Sequence, residues 1–404
     1  MSQCKVCNTA TTKVIDFGKM PIANGFIKDK NTDEFFFDMS VVFCSKCLMV
    51  QLDETVPPEA MFNDDYQFLS STSQAMAVHF KNITDEILMR TKGEKDPFIV
   101  ELGCNDGIML KHIAQKNIRH LGVEPSGNVA ELARKNSVNV TEEFFNKKTA
   151  AAIVKQYGKA DIIGGSNVFC HIEDINSVFE GISVLIKDNG ILYFEDPYLL
   201  DIIKKSSFDQ IYDEHVYYYS GLSVINLANR HGLQLVDMRH QEVHGGSMRY
   251  YIKKGKGHSV SENVTKFIQQ EKELKLDRMD GYIAFKDRVN KICKDLKSTL
   301  QNIKKDGNRI AAYGATSKST TLLNYAHIGP DLIDYISDTT PNKVNKFSPG
   351  THIPIKPYDT FRRDDIRYTL LLAWNHKKEI FEKEKEYRQQ GRKFITYFPE
   401  VMVE

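Results

Sequence analysis

The stretch that decides the fold is residues 98–110, FIVELGCNDGIML. Its first five residues are an apolar run that predicts a buried strand, and residues 103–107, with two glycines, predict a tight turn. Apolar residues at helix-like spacing follow at Ile108, Leu110 and Ile113. Strand, glycine turn and helix in this order predict the nucleotide-binding corner of a doubly wound α/β domain, where backbone amides at the start of the helix face a ligand.

The chemistry of this turn indicates which ligand it holds. Glu101 stands just before the first glycine, where a carboxylate favours a cationic ligand over a pyrophosphate. The turn reads G-x-N-D-G and lacks the G-x-G-x-x-G fingerprint of dinucleotide enzymes. We therefore expect S-adenosylmethionine (SAM), which carries an amino group and a sulfonium, rather than NAD.

Composition limits the classes of function. The chain has 404 residues, 41% of them hydrophobic, and a formal net charge of +1. With a net charge so close to zero, the chain has no overall electrostatic field that attracts nucleic acid or an anionic membrane. No apolar run reaches the length of a membrane span. The N-terminus, MSQCKVC, has no secretory signal pattern. We expect a cytoplasmic protein whose seven cysteines are thiols or metal ligands.

Two Cys-x-x-Cys pairs lie near the N-terminus. Each pair presents two thiolates, so that together they fill the four positions of one tetrahedral zinc ion: Cys4, Cys7, Cys44 and Cys47. Because no position is left for a substrate, the zinc is predicted to be structural and to stabilise a small unit, residues 1–60. Short strands are expected at residues 12–17 and 35–43.

The α/β pattern continues after the glycine turn. Residues 118–123 predict a strand that ends at Glu124, an acidic residue placed to bind ribose hydroxyls. The other elements predicted for this domain, residues 61–200, are a strand at 161–164, a helix at 174–186, a turn at 187–190 and a strand at 191–194.

The densest group of polar and aromatic side chains lies in residues 208–220. His215 stands near Tyr212 and Glu214, an arrangement in which an imidazole can accept a proton while its neighbours hydrogen-bond a developing anion. An exposed acidic turn followed by an aromatic strand explains these residues equally well. Tyr66, in a polar segment ahead of a predicted helix, is by itself better explained as part of a linker.

A second α/β unit follows a charged helical stretch, residues 261–307. Its predicted strands are residues 309–313, 332–336 and 369–373. The small-residue turn 314–321 opens a helix and suits a phosphate, and Asp338 follows a strand at a position that can meet a ribose. Without a strict dinucleotide fingerprint, this domain, residues 201–404, favours a nucleoside diphosphate attached to another group.

A series of motifs runs along almost the whole chain. In order they are the two Cys-x-x-Cys pairs, P-x-A-N-x-F (21–26), Tyr66 ahead of a Ser-rich segment and His79, E-x-G-x-N-D-G (101–107), N-V-x-x-H (167–171), P-Y-L-L (197–200), F-D-x-I-Y-x-E-H (208–215), H-G-G-S-x-R (244–249) and Y-G-A-x-x-K (313–318). This series resembles the SAM-dependent sugar C-methyltransferases of deoxysugar biosynthesis. They include enzymes that methylate C-3 of nucleotide-linked 4-keto sugars for tetronitrose and mycarose.

The resemblance implies a mechanism. A ketone next to the target carbon makes its C–H acidic, His215 would remove that proton as the general base, and the enolate would attack the SAM methyl group. Glu214 would orient or polarise the base. Hydrogen bonds to the enolate oxygen, or to the sugar, would come from Tyr212, Tyr66 and His171.

The resemblance also implies two binding sites. Beside Glu101, the residues that would hold SAM are Gly103, Asn105, Asp106, Glu124 and Asn167, with Phe144 or Phe145 over the adenine. The diphosphate of a dTDP- or GDP-linked sugar would lie against Tyr313, Gly314, Ala315, Thr316, Lys318, Asp338 and Lys343.

We therefore predict an α/β protein with a small N-terminal zinc-binding unit, a central Rossmann-like SAM methyltransferase domain and a C-terminal Rossmann-like domain that binds a nucleotide sugar, acting as a monomer. A sugar O-methyltransferase on the same scaffold is the main alternative. A zinc-containing nucleic-acid methyltransferase would need a basic, aromatic face, which the near-neutral charge and the single tryptophan, Trp374, disfavour. A non-catalytic binding protein would leave the group at Tyr212, Glu214 and His215 unexplained.

Overall fold

The computed structural model describes residues 2–57, 70–72 and 74–404. Strands in these residues form three sheets. In chain order they are β1 (Thr12–Pro21), β2 (Phe36–Phe43), β3 (Val50–Leu52), β4 (Phe98–Leu102), β5 (Arg119–Val123), β6 (Val140–Thr141), β7 (Ala160–Ser166), β8 (Ile186–Pro197), β9 (Tyr217–Tyr218), β10 (Leu233–Gln241), β11 (Ser247–Lys254), β12 (Ile310–Tyr313), β13 (Tyr335–Asp338), β14 (Ile355–Pro357), β15 (Tyr368–Leu371), β16 (Lys393–Thr396) and β17 (Met402–Val403).

Helices cover the faces of the two larger sheets. In chain order the α-helices are α1 (Gln74–Arg90), α2 (Leu110–Ala114), α3 (Gly127–Lys135), α4 (Lys147–Tyr157), α5 (Ile175–Leu185), α6 (Leu199–Lys205), α7 (Gly221–Arg230), α8 (Glu262–Glu273), α9 (Met279–Lys305), α10 (Ser317–Tyr325), α11 (Tyr358–Arg363), α12 (Lys377–Lys383) and α13 (Lys385–Gln389). Short 3-10 turns include Ser70–Thr72, Phe169–His171, Phe208–Gln210, Val243–Gly245 and Trp374–His376.

The N-terminal sheet has the order β1-β2-β3-β9 and is antiparallel. Its fourth strand, β9, comes from the middle of the chain and pairs Tyr218 with Val50 and Tyr217 with Gln51. The backbone N–H of Leu52 also donates to the carbonyl of Val216, at 2.8 Å. The small N-terminal unit is therefore fastened directly to the segment that follows His215.

The central sheet has the order β10-β11-β8-β7-β4-β5-β6. The five strands from β4 to β8 are parallel, and β11 lies antiparallel between β8 and β10. The predicted domain boundary at residue 200 divides this sheet, because β10 and β11 belong to it rather than to the C-terminal domain. β11 lies between β8 and β10, which both precede it in the chain. Local sequence patterns do not predict the pairing of β11 with the distant strand β8.

Residues 187–190, predicted to be a turn, lie inside β8. Ala160 pairs with Ile186 and Ile162 pairs with Ile191, so four residues of β8 stand opposite Asp161 alone. The polar insertion is accommodated as an irregularity of the strand, because Ile191–Phe194 resumes the pairing on its far side.

The C-terminal sheet has the order β14-β13-β12-β15-β16-β17, with only β17 antiparallel among the described strands. This is the predicted second Rossmann-like unit. Its second strand begins at Tyr335, three residues later than predicted, because Leu332 lies in the turn that precedes it.

One apolar core joins all three units. It runs from the inner face of the N-terminal sheet through α5 and β8 to α9 and the first strand of the C-terminal sheet. The helix pair of residues 262–305 is amphipathic, as predicted, and Cys293 packs against this core. Among the residues described, no helix is both long enough and apolar enough to cross a membrane.

Candidate active site

The four N-terminal cysteines form one cluster. Their sulfur atoms all lie within 4.8 Å of one another, with Cys4 and Cys47 at 3.4 Å and Cys7 and Cys44 at 3.5 Å. Four thiolates at zinc–sulfur distances of about 2.3 Å would lie about 3.8 Å apart in a tetrahedron, so the donor set suits zinc. The structure has no disulfide among the seven cysteines, all of which lie in the described residues.

The glycine turn after β4 is shaped for a ligand that approaches the backbone closely. Gly103 has φ +60°, and a Cβ at this position would lie 2.4 Å from a methyl of Val168. Gly107 has φ +76°, with Val138 at 2.9 Å from the equivalent position. Both positions therefore require glycine. Just ahead of α1, the backbone N–H groups of Ser70 and Ser71 donate to the side chains of Asn105 and Asp106, each at 3.0 Å.

Acidic side chains line this turn. Glu101 is buried, and its Oε2 has no hydrogen-bond partner among the described residues. Burial, with Asp106 and Glu124 nearby, raises the pKa of Glu101 well above its ordinary value. Glu124 accepts from the backbone N–H groups of Asn105 and Ser126, each at 3.0 Å. An unpaired buried carboxylate of this kind suits a cation such as the SAM amino group.

The remaining residues predicted for SAM follow the carboxyl ends of parallel strands of the central sheet, Asn167 after β7 and the two phenylalanines after β6. Asn167 follows β7 with φ +54°, and its N–H donates to the carbonyl of Glu195 at 2.6 Å. Phe145 is buried in the core, whereas Phe144 is 43% exposed. Of the two aromatic rings proposed to cover the adenine, only Phe144 is therefore available to a ligand.

His215 is held in one tautomer. Its Nδ1 lies 2.8 Å from the carbonyl oxygen of Gln210, which can only accept, so Nδ1 carries the proton of the neutral ring. Its Nε2 lies 3.0 Å from the hydroxyl oxygen of Tyr212 and has a free lone pair to accept with. Burial, with His171 nearby, keeps the pKa of His215 well below 6.5. The imidazole is therefore neutral at neutral pH.

His171 stands beside this imidazole, at 5.0 Å between ring centroids. Its Nδ1 lies 2.6 Å from the carbonyl oxygen of Glu214, and burial lowers its pKa also. Four of the five predicted catalytic residues therefore lie in one region: His215, Tyr212, Glu214 and His171. The carbonyl of Gln210 orients the imidazole of His215, a role that the sequence analysis gave to Glu214. Tyr66 lies outside the described residues.

Two acidic side chains of the predicted catalytic loop, residues 211–216, face the N-terminal unit. Asp213 accepts from the backbone N–H of Ala23 at 2.9 Å, and Glu214 accepts from the side-chain amide of Asn24 at 2.5 Å. Asp213, to which the sequence assigned no role, therefore anchors the turn that carries Asn24. No local pattern indicates either contact, because 190 residues separate the partners of each bond.

The turn at the start of α10 carries the predicted nucleotide-binding residues. Gly314 has φ +90°, Thr316 caps the helix by accepting from the N–H of Ser319, and Lys343 donates to the carbonyl of Ala315 at 2.8 Å. Asp338 accepts from the backbone N–H groups of Ala315 and Thr340, at 2.6 and 2.7 Å. In this structure, Asp338 therefore supports the turn itself.

Lys318 lies where the C-terminal unit meets the central one. Its ammonium donates to the carbonyl of His244 at 3.2 Å and lies 5.5 Å from the centroid of the Trp374 ring. Burial lowers the pKa of Lys318 and also that of Lys343. Tyr313 is different: its phenol donates to Glu384 at 2.9 Å inside the C-terminal core, away from the turn.

Sequence reasoning missed a buried ionic group at the end of β8. Glu195 lies 2.7 Å from His79 and is paired with Arg249 at 2.8 Å. His79 and Arg249 stand in the motifs quoted above, but Glu195 directly follows the predicted strand 191–194 and belongs to none of them. A carboxylate directly after a run of apolar strand residues is the sequence signal that could have marked it.

Comparison with known proteins identifies the family. A family model described as "C-methyltransferase C-terminal domain" matches residues 242–399, one described as "Methyltransferase domain" matches residues 78–238, and one described as "Putative zinc binding domain" matches residues 4–62. The chain is 31% identical over 407 residues to C-methyltransferase NovU of Streptomyces niveus, with 100% of this chain and 97% of that protein covered. The chain belongs to the C-methyltransferase family.

More distant matches cover the methyltransferase part. A ubiquinone biosynthesis O-methyltransferase of Colwellia psychrerythraea is 25% identical over 180 residues, covering 41% of this chain and 70% of that protein. A magnesium protoporphyrin IX methyltransferase of Synechocystis, solved with bound SAM, is 12% identical, covers 47% of this chain and 86% of its own, and has a TM-score of 0.34.

Membership of the C-methyltransferase family confirms several predictions. This protein is a SAM-dependent enzyme with a Rossmann-like methyltransferase fold, and its N-terminal unit binds zinc through four cysteines. For SAM, the buried, unpartnered Oε2 of Glu101 and the close approach that Gly103 allows fit the cofactor. The acceptor of the methyl group is a small molecule.

Proposed function

We propose that this enzyme methylates C-3 of a dTDP- or GDP-linked 4-keto sugar through an enolate, with His215 as the general base. The observation that carries the proposal is the buried, neutral imidazole of His215. Its Nδ1–H is held by the Gln210 carbonyl, which leaves the Nε2 lone pair directed at the hydroxyl of Tyr212. A general base must be unprotonated and within hydrogen-bond reach of the proton that it removes.

SAM supplies an electrophilic methyl group when it is bound. In the proposed reaction, Nε2 of His215 takes the proton from C-3, and the electron pair of the broken C–H bond forms the enolate next to the 4-keto group. That pair then forms the new carbon–carbon bond to the methyl group, while the electrons of the sulfur–methyl bond remain on sulfur. The ketone is regenerated, so the reaction requires neither oxidant nor reductant.

A hydroxyl donor beside His215 supports stabilisation of the enolate. Tyr212 has an O–H that can donate to an anionic oxygen once Nε2 is protonated. We propose that His171, at 5.0 Å between ring centroids, positions the sugar, because its Nδ1 proton is already donated to the Glu214 carbonyl. Donors fixed before the reaction stabilise a developing oxyanion without reorganisation. We propose Tyr66 as a further donor from outside the described residues.

A nucleotide handle is supported by the turn at α10. It combines a helix start with two ammonium groups, Lys318 and Lys343, whose pKa values burial lowers. Partly buried cations of this kind gain from an anionic partner such as a diphosphate. We propose that four further residues form this site by making or supporting the backbone of the turn: Gly314, Ala315, Thr316 and Asp338. Tyr313 would contribute only its backbone, because its phenol donates to Glu384.

The test is a substrate panel. dTDP- and GDP-linked 4-keto sugars are incubated with SAM and the enzyme, together with the matching sugars whose C-4 is already reduced to an alcohol. We expect transfer to the keto sugars only, with the new methyl group assigned to C-3 by NMR. Methylation of the alcohols, with the new methyl on oxygen, would instead establish an O-methyltransferase.

A further inference from the structure

The P-x-A-N-x-F turn of the N-terminal unit has a position that the proposed reaction does not use. Residues 21–26 lie between the catalytic loop and the start of α10, although they belong to the unit that carries the zinc. Asn24 is the residue of this turn whose side chain reaches both neighbours.

The side chain of Asn24 connects three units. Its Nδ2 donates to Oε1 of Glu214 at 2.5 Å, and its Oδ1 accepts from the hydroxyl of Ser317 at 2.7 Å. Ser317 is the first residue of α10, next to Lys318 in the turn proposed to hold the diphosphate. One amide therefore bonds the catalytic loop with one end and the nucleotide turn with the other.

The backbone beneath this amide is fixed separately. Ala23 is buried, its N–H donates to Asp213 at 2.9 Å, and its carbonyl accepts from the hydroxyl of Thr320 at 3.0 Å. Asn24 itself is exposed. A change of the Asn24 side chain therefore leaves the backbone hydrogen bonds of the turn in place.

The carboxylate that Asn24 holds is nearly buried. Glu214 is 9% exposed, and among the described residues Asn24 is the side chain that hydrogen-bonds it. Glu214 directly precedes His215, and its own carbonyl is 2.6 Å from Nδ1 of His171. The backbone of Glu214 thus contacts the His171 imidazole and leads directly into the residue proposed as the base.

We propose that Asn24 is a positioning residue for methyl transfer, which holds the Glu214 carboxylate and links its position to occupancy of the nucleotide turn through Ser317. This inference rests on the proposed function, since it takes the turn at α10 as the nucleotide seat. A nucleotide bound there fixes Ser317, and Ser317 fixes the amide that orients Glu214. Binding energy from the nonreacting nucleotide is in this way used to position the reacting groups.

The test uses variants that separate the two ends of the amide. Asn24→Asp keeps an acceptor for Ser317 but places oxygen against the Glu214 carboxylate. Ser317→Ala removes the other end, and Ser317→Thr restores a hydroxyl. Asn31→Ala is the matched control, because Asn31 is an exposed asparagine of the same unit that bonds only to Asp29 among the described residues.

Kinetics give the first readout. We expect Asn24→Asp to lower kcat about 100-fold, the size of effect that a misplaced group produces, with less than a threefold change in KM. The double variant Asn24→Ala/Ser317→Ala should lose no more kcat than Asn24→Ala, because both changes break one linkage. Ser317→Thr should recover the kcat lost in Ser317→Ala. Equal kcat in Asn24→Asp and Asn31→Ala would overturn the proposal.

Hydrogen exchange without substrate gives a second readout, independent of turnover. The amides of His215 and Val216 donate to the carbonyls of Tyr212 and Cys170, at 3.0 and 2.7 Å. We expect exchange in residues 209–216 to be several-fold faster in Asn24→Ala than in wild type. Addition of dTDP or GDP alone should slow this exchange in wild type but not in Ser317→Ala.

The outcomes distinguish the two proposals. If the wild-type enzyme methylates no 4-keto nucleotide sugar, but hydrogen exchange in residues 209–216 is still faster in Asn24→Ala than in wild type, the proposed substrate is wrong. The role of Asn24 in holding Glu214 is then still supported. If wild type methylates such a sugar but exchange in residues 209–216 is the same in wild type and Asn24→Ala, the role of Asn24 is wrong. If neither dTDP nor GDP slows exchange in wild type, the link through Ser317 is wrong.

Discussion

The hydroxyl oxygen of Tyr212 lies 3.0 Å from Nε2 of His215. Because the opposite nitrogen donates to the Gln210 carbonyl, this hydroxyl faces the one lone pair of the ring. The pair can therefore exist in two states, with Tyr212 donating to Nε2 in the free enzyme and Tyr212 donating elsewhere once Nε2 has taken a proton. That exchange of partners is what the proposed enolate chemistry requires.

Replacement of the base should abolish transfer without loss of the cofactor. We expect His215→Ala to lower kcat by about 10³-fold or more, at the upper part of the range for a general base, while SAM affinity by calorimetry stays within about twofold. His112→Ala is the control, since His112 lies beside Lys81 and Asp85 in a cleft that contains none of the predicted site residues. Normal turnover in His215→Ala would remove this residue as the base.

The pH dependence follows from the direction of the pKa shift. Burial lowers the pKa of His215 well below 6.5, so the imidazole becomes protonated, and inactive as a base, only at a more acidic pH than an exposed histidine would. We therefore expect kcat/KM to stay constant as the pH falls through 6.5 and to decline only below it. An acid limb at or above pH 6.5, with SAM binding unchanged there, would contradict a neutral buried base.

Zinc should be needed for catalysis although it is remote from the methyl group. We expect one zinc ion per chain by metal analysis, and we expect Cys4→Ser or chelation to lower kcat at least 10-fold, because β3 of the zinc unit pairs with β9 just after His215. Cys293→Ser is the control, since Cys293 is buried outside the cluster. Protein purified without chelator that contains no zinc would refute the assignment.

Glu101 should contribute charge to SAM binding. Its Oε2 is buried without a partner among the described residues, so a bound cation would compensate it directly. We expect Glu101→Gln, which keeps the shape and removes the charge, to weaken SAM affinity at least 10-fold by calorimetry. The surface variant Glu131→Gln should bind SAM normally. Unchanged affinity in a folded Glu101→Gln variant would show that the carboxylate faces something other than the cofactor.

The sequence predicts the parts of the structure that depend on local pattern. The apolar run before Gly103 becomes the strand Phe98–Leu102, and the two glycines of the turn take positive φ. The four cysteines converge because each Cys-x-x-Cys pair presents two sulfur atoms to one ion. The strand, the turn and each cysteine pair are encoded within a few residues, so spacing and residue type are sufficient to predict them.

Features that depend on distant pairing could not be predicted. Tyr217 and Tyr218 complete the zinc unit's sheet by pairing with Gln51 and Val50, and β11 enters the central sheet beside β8. The sequences of these strands carry no pattern that indicates which strands they pair with. The same reason hides the bond between Asn24 and Glu214, since an asparagine in a turn is ordinarily explained by the turn itself.

The central claim is that His215 removes a proton from carbon next to a ketone, and solvent exchange tests it most directly. The enzyme is incubated in heavy water with a 4-keto sugar nucleotide and a SAM analogue that cannot donate a methyl group, and deuterium at C-3 is followed by NMR. We predict incorporation with wild type and none above background with His215→Ala. No incorporation with wild type, under conditions where SAM supports methyl transfer to the same sugar, would contradict the account.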